Sequence, residues 1–273
     1  MKRFLALCLS LFMLCGMFAA CGDKQETPDD NKGQQEQTNN NGEEKLAAEQ
    51  VINFVASEPN ILDVARFLGI ADRNVFYNTL ECLVRIDGGV VKEDGAESYE
   101  ISEDGLTYTF HLRENYWSDG QKVTAEDYAT ALRRQADPKN AFAFANSYYA
   151  IENFEAIFKG EKDISELGVE VVDENTLVLH LGRVDTSLLS TAQFFPDRAD
   201  LAEKYGDSYG TEVDKTPSCG PFVLTEWTHN STLVYTKNEK SVSYTHLSDV
   251  GRPVPKGGYR KSHRQGAGGL PAG

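Results

Sequence analysis

Apolar residues run along this chain at three spacings, and each spacing predicts a different element. From Phe4 to Ala20 they are nearly continuous, preceded by Lys2-Arg3 and ending in Ala19-Ala20 just before Cys21. A basic start, an apolar core and small residues at the end predict a cleaved secretory signal rather than a stable transmembrane helix. From Asp23 to Glu44 apolar residues almost vanish. Such a stretch cannot bury enough surface to offset its conformational entropy, so residues 22–44 are expected to be a disordered polar linker.

Beyond the linker the pattern is that of a mixed α/β body. Val51 to Ala56 is rich in β-branched residues and predicts a strand, closed by the turn Ser57-Glu58-Pro59-Asn60. Val75, Phe76, Leu80 and Leu83 share one face of a helix predicted over Asn74 to Leu83. Val84 to Asp87 then leaves it as a strand, with a turn at Gly88-Gly89. Thr107 to Leu112 alternates apolar and polar and predicts a half-buried strand. Ser118-Asp119-Gly120-Gln121 has turn chemistry. Thr124 stands where an N-cap belongs, with Glu126 and Asp127 in the first turn and Ala129 and Leu132 on one face after it. Asp137-Pro138-Lys139-Asn140 is a further turn, followed by an aromatic-rich segment at 141–149 whose rings read mainly as core. Ile151 to Phe158 predicts a helix ended by Gly160. Two alternating strands within 160–181, joined by Asp173-Glu174-Asn175, predict a hairpin, and Asp200 to Tyr205 a short helix.

Charge changes this picture more than composition does. At 273 residues, 40% hydrophobic and 25% charged, the chain is ordinary for one or two globular domains. The net charge is −15, and the tail from 241 onward carries five Lys/Arg against one Asp, so the body before it is more acidic than the whole. That argues against nucleic acid or anionic lipid as a partner and fits a secreted, soluble body. Cys8, Cys15 and Cys21 lie in the leader; Cys82 and Cys219 lie in the body, with no CxxC or histidine at metal spacing. No metal and no cofactor is expected. A Cys82–Cys219 disulfide is compatible with an extracytoplasmic setting, but spacing does not establish it. His111, His180, Ser118 and Asp119 are the groups an enzyme would use. None has a nucleophile-elbow or HExxH context, so no catalytic residue is assigned.

Asp104 to Arg113, continuing through Trp117-Ser118-Asp119-Gly120 to Val123-Thr124-Ala125-Glu126-Asp127-Tyr128, resembles the signature region of the extracytoplasmic solute-binding proteins that serve peptide and nickel ABC transporters. Ser57 to Asp63 resembles that family's first turn, with Val64 where proline is usual. Gly160 to Leu181 is similar to the hairpin of its peptide-binding branch. Pro217 to Trp227 and Leu233 to Lys240 resemble the strands that return to the first subdomain, with Cys219 replacing a small polar residue. Phe18-Ala19-Ala20-Cys21 resembles a bacterial lipobox, with Phe18 for the usual leucine. The resemblance covers about 47–240.

The resemblance implies a type II periplasmic-binding-protein-like fold, first lobe only. Residues 45–80 with 198–240 would form its first subdomain and 81–197 an inserted smaller one. Residues 1–21 would be a lipoprotein signal peptide, leaving Cys21 as a lipidated N-terminus on the outer face of the bacterial cytoplasmic membrane. The backbone of Leu68, Gly69 and Ile70 would pair with an extended ligand, adding it as a strand, and Phe144 would be a cleft-facing aromatic. The implied function is capture of oligopeptides and delivery to the permease subunits of an ABC importer. Alternatives are the same fold with a dipeptide, nickel chelate, haem or sugar, and a secreted hydrolase. With the second lobe missing, little or no peptide affinity is expected of this chain. Residues 241–273 are rich in Gly, Pro and Arg and lack periodicity, so neither helix nor strand is expected there. Ser241 to Leu247 resembles translated adapter sequence from a DNA library, which places the end of the native reading near Lys240 and makes the tail non-native and disordered.

Overall fold

The computed structural model describes residues 51–241 and the backbone of 259–262. The leader, Cys21, the polar linker and the rest of the tail lie outside the described residues. In chain order the elements are β1 (Ile52–Phe54), α1 (Ile70–Thr79), β2 (Val84–Asp87), β3 (Val90–Glu93), β4 (Ala96–Ile101), β5 (Thr107–Leu112), α2 (Ala125–Ala136), α3 (Phe154–Phe158), β6 (Val169–Asp173), β7 (Thr176–His180), α4 (Leu188–Thr191), α5 (Ala199–Tyr205), β8 (Phe222–Thr228), β9 (Thr232–Lys237) and β10 (Tyr259–Ser262).

One antiparallel sheet has the order β4-β5-β7-β6; a hairpin of β2 and β3 stands beside it. β5 is the best-specified strand: Tyr108, Phe110 and Leu112 are buried and alternate with half-buried Thr107, Thr109 and His111. α2 packs on β6 and β7 because Tyr128, Ala129, Leu132 and Ala136 recur at helical spacing on its buried face. Its start is as expected. Thr124 is the N-cap, and Asp127 in the first turn accepts from the Thr124 N–H at 2.8 Å.

The second sheet has the order β1-β10-β9-β8, with β10 parallel to β1 and antiparallel to β9. This corrects the expectation that the tail holds no strand. Tyr259–Ser262 has no apolar alternation to announce it. A ladder is made of main-chain groups, so a segment placed between two open strand edges can pair whatever its side chains are. β1 is shorter than expected, and Val51, Ile52, Phe54 and Val55 are all exposed.

α1 also departs from the reading of the sequence. It runs from Ile70 to Thr79, not from Asn74 to Leu83. The stop comes early because Leu80 turns extended and the chain there packs against the backbone of Gly220, where an added Cβ would lie 2.7 Å from the Leu80 nitrogen. One core joins these parts, from Leu62 and Phe76 through Phe110, Trp117 and Tyr128 to Leu224 and Tyr235.

Candidate functional site

Asp72 builds the loop that carries three of the expected ligand residues. Its carboxylate is fully buried and collects main-chain donors from across the loop. Oδ2 accepts from the N–H of Leu68 (2.8 Å) and of Gly69 (3.0 Å), and Oδ1 from the N–H of Ile61 (3.2 Å) and of Asn60. A carboxylate that satisfies several backbone N–H groups is a strong local organiser. It also sets where α1 begins, with Gly69 as N-cap in an extended conformation. The Gly69 carbonyl accepts from the Arg73 N–H at 3.2 Å, closing the first helical turn.

Part of the backbone expected to pair with a ligand is already hydrogen-bonded within the chain. The Leu68 and Gly69 amides are engaged inside the chain, and so is the Gly69 carbonyl. What the loop presents outward is side chain: Leu68 is 62% exposed and Ile70 66%.

Phe144 is brought to the same place. Its half-buried ring stacks on Phe67, the residue before Leu68, with centroids 4.9 Å apart and planes at 23°. Phe142 meets Phe67 edge-on at 5.3 Å, so the loop leans on an aromatic shelf. Arg73 reaches over the Phe144 ring at 5.9 Å, and half-exposed Tyr77 rests on Phe195 at 5.5 Å. Sequence reasoning assigned Phe144 and the loop but missed Asp72 and Arg73. The signal for Asp72 was an acid three residues after a glycine at a helix start; Arg73 had no local signal.

Two cavities open elsewhere. One of about 590 Å³ is lined by Arg66, Arg133, Arg134, Lys139, Glu203 and Asp207, and one of about 330 Å³ by Tyr149, Glu155, Lys159 and Arg183 among others. Neither touches Leu68, Gly69, Ile70 or Phe144.

The groups an enzyme would use have structural partners. The Ser118 N–H donates to the Ser218 carbonyl at 2.6 Å, and its hydroxyl accepts from the Ser218 N–H at 3.3 Å. Asp119 accepts from Arg198 at 2.8 Å and from the Gln121 N–H at 3.0 Å. His180 pairs with Glu170 across β6 and β7 at 3.2 Å. His111 stands opposite Thr176 at the far end of the β5–β7 ladder from His180, which stands opposite Thr107. Cys82 and Cys219 are free thiols, both buried, and burial pushes each well above the ordinary thiol range. Among the described residues no group of three or more His, Cys, Asp or Glu side chains is placed to hold a metal ion.

Two half-buried carboxyls make stability depend on pH. Burial pushes Asp127 up to about 6, against the pull of the Thr124 and Trp117 donors and Arg198. Burial also raises Asp94 to about 6, against Arg85 and Arg113. A carboxyl with a raised folded pKa holds its proton more tightly folded than unfolded. Its contribution is full below the unfolded value near 4 and is lost as pH rises through about 6. Unfolding free energy is therefore expected to fall over that window, by on the order of 2 kcal/mol from Asp127 alone. Urea titrations at a series of pH values should show Asp127→Asn flattening the slope; an unchanged slope would remove Asp127 as its source.

The chain is similar to known proteins in sequence and in fold. Residues 90–256 match the profile of the bacterial extracellular solute-binding proteins, family 5 Middle. A probable deoxycholate-binding periplasmic protein of Escherichia coli is 36% identical over 204 residues, covering 71% of this chain and 38% of that protein. A periplasmic oligopeptide-binding protein of Haemophilus influenzae is 39% identical over 166 residues, covering 58% of this chain and 30% of its own length. Among solved structures, the substrate-binding domain of an oligopeptide ABC transporter from Bacillus anthracis superposes with a TM-score of 0.74 at 36% identity, covering 80% of this chain and 42% of that one. A peptide-bound oligopeptide-binding protein from Listeria monocytogenes gives 0.74 at 31% identity, covering 80% of this chain and 43% of that one. The chain thus spans well under half the length of these relatives.

Proposed function

This chain belongs to the bacterial extracellular solute-binding proteins of family 5, and on that premise we propose that it captures oligopeptides outside the cytoplasm for delivery to the permease subunits of an ABC importer. The observation that carries the reading is the surface at Leu68, Ile70 and Phe144. Exposed apolar side chains stand on a loop that Asp72 braces and are backed by Phe67 and Phe142. A rigid apolar surface costs little ordering when it binds, which suits capture of varied side chains. In this reading the work is binding and release rather than covalent chemistry.

Cys21, behind Phe18-Ala19-Ala20, becomes the lipidated N-terminus and holds the protein at the outer face of the cytoplasmic membrane, with 22–44 as tether. Residues 45–80 with 198–240 and residues 81–197 act as two subdomains of a single lobe. In this reading the single lobe meets the peptide from one side only, so its own affinity is weak.

Titration of the ¹⁵N-labelled chain with penta-alanine tests the reading. Amide shifts at Leu68–Ile70 and Phe144 are expected, saturating only in the millimolar range, equivalent to about −4 kcal/mol. Calorimetry at micromolar peptide should show no binding heat. No shifts at about 10 mM would overturn the peptide reading, and micromolar binding would overturn the weak-affinity part. The similarity to a protein named for deoxycholate supports a second reading, a steroid carboxylate on the same apolar surface. Shifts with deoxycholate and none with peptide would favour it.

A further inference from the structure

The surface that carries Leu68, Ile70 and Phe144 also carries a cation whose donors are barely used. Ile70, Arg73 and Tyr77 share one face of α1 by their spacing. The Arg73 guanidinium carbon stands 5.9 Å from the centroid of the Phe144 ring. Among the described residues its side chain makes one hydrogen bond, from Nη1 to Gln193 Oε1 at 3.4 Å, and no carboxylate comes within ion-pair distance. Arg66, Arg133, Arg134 and Arg198 each meet a carboxylate within 2.8 Å. The acid next to Arg73 in sequence, Asp72, is turned inward onto Asn60, Ile61, Leu68 and Gly69.

Gln193, its neutral partner, is fixed from behind. The Tyr148 hydroxyl donates to the Gln193 carbonyl at 2.6 Å and accepts from its N–H at 3.0 Å. Arg73 is thus positioned by one amide and one aromatic face and keeps the rest of its planar donor fork unused. That fork matches the two oxygens of a carboxylate, and stacking on a ring pre-orders it at little entropic cost.

We propose that Arg73 is a specificity residue of this surface and receives a carboxylate of the bound peptide, from an acidic side chain or from the C-terminus. Gln193 is its positioning residue. The proposal rests on the reading of Leu68–Ile70 and Phe144 as the ligand surface. It makes the preference of this protein partly acidic, against the negative charge of its own body.

NMR titration of the full chain with three peptides tests it: Ala-Ala-Glu-Ala-Ala amide, Ala-Ala-Gln-Ala-Ala amide, and Ala-Ala-Gln-Ala-Ala with a free C-terminus. At low salt at least one acid-bearing peptide should bind about fivefold tighter than the neutral amide, with a shift at the Arg73 Nε–H. Which of the two does so identifies the source of the carboxylate. Arg73→Gln should abolish the preference. Arg73→Lys should keep part of it. Arg133→Gln, away from the surface, should keep all of it. Circular dichroism melts establish that each variant is folded. Equal affinity for all three peptides, or a preference that survives Arg73→Gln, overturns the role of Arg73 and leaves the peptide reading standing. Failure of the wild type to bind even the neutral peptide overturns both.

Discussion

Replacing Arg134 by alanine is expected to lower the unfolding free energy by about 4 kcal/mol, read as a fall in the urea midpoint at unchanged slope. Arg134 projects from α2 into a pair of buried acids. It bonds Asp63 from Nη2 at 2.8 Å and from Nη1 at 3.1 Å, and its Nη1 also bonds Asp197. Asp63 and Asp197 have almost no solvent contact. The Tyr209 hydroxyl donates to Asp197 at 2.7 Å, Arg66 donates to Asp63 at 2.7 Å, and the Arg134 guanidinium lies 5.3 Å from the Tyr209 ring centroid. Burial works against the charge on Arg134, but Asp197 and Asp63 outweigh it and hold the guanidinium protonated. Burial pushes the Asp197 carboxyl up, against the pull of Arg134. Removing the cation leaves buried Asp63 with Arg66 as its cation and buried Asp197 with neutral donors such as the Tyr209 hydroxyl, and that lost countercharge, more than the worth of the pair, sets the magnitude. Asp197→Ala added to Arg134→Ala should recover part of the loss; additive losses would show that the two side chains act independently. The consequence reaches the candidate surface, because Asp63 also accepts from the Ala65 N–H at 2.9 Å and so holds the turn that leads to Phe67 and Leu68.

Gly210→Ala is expected to cost about 3 kcal/mol for two separable reasons. The backbone there has φ +75°, where an L side chain loses about 1 kcal/mol. In addition, a Cβ would lie 2.5 Å from the Leu62 carbonyl carbon and 2.6 Å from the Asp63 nitrogen. Both are main-chain atoms that no rotamer change can move. The contact is held by the Leu62 N–H, which donates to the Gly210 carbonyl at 2.7 Å. Gly160→Ala supplies the control, since its φ is +74° with nothing within 4 Å of the new Cβ. It should lose about 1 kcal/mol only. Equal losses at the two positions in thermal or urea unfolding would show that close approach at Gly210 carries no weight.

The elements that could be read from the sequence are those whose causes are local. Thr124 and Asp127 cap a helix whose apolar face repeats within a dozen residues, so α2 was legible in full. The same holds for β5 and for the β6–β7 hairpin, where alternation and the Asp173-Glu174-Asn175 turn lie next to each other. α1 was misplaced because its start is set by Asp72 reaching back to residues 60–69 and its end by contact with Gly220. The strand at Tyr259–Ser262 was illegible because main-chain pairing leaves no mark on composition. The buried acids around Arg134 were missed for a similar reason: Asp63, Arg134 and Asp197 each look like an ordinary surface charge in their own neighbourhood.

The candidate surface divides the same way. The resemblance carried by local motifs named Leu68, Gly69, Ile70 and Phe144, and the sequence alone determined the family and the broad α/β class. Which groups those residues present, and what stands beside them, was decided by tertiary structure. Asp72 turns two amides inward, Phe67 brings Phe144 against the loop, and Arg73 finds a ring and an amide from distant parts of the chain. Periodicity and capping act over a few residues and are written in sequence order. Donor satisfaction and ion pairing act through space, so the chain must be folded before their partners are known.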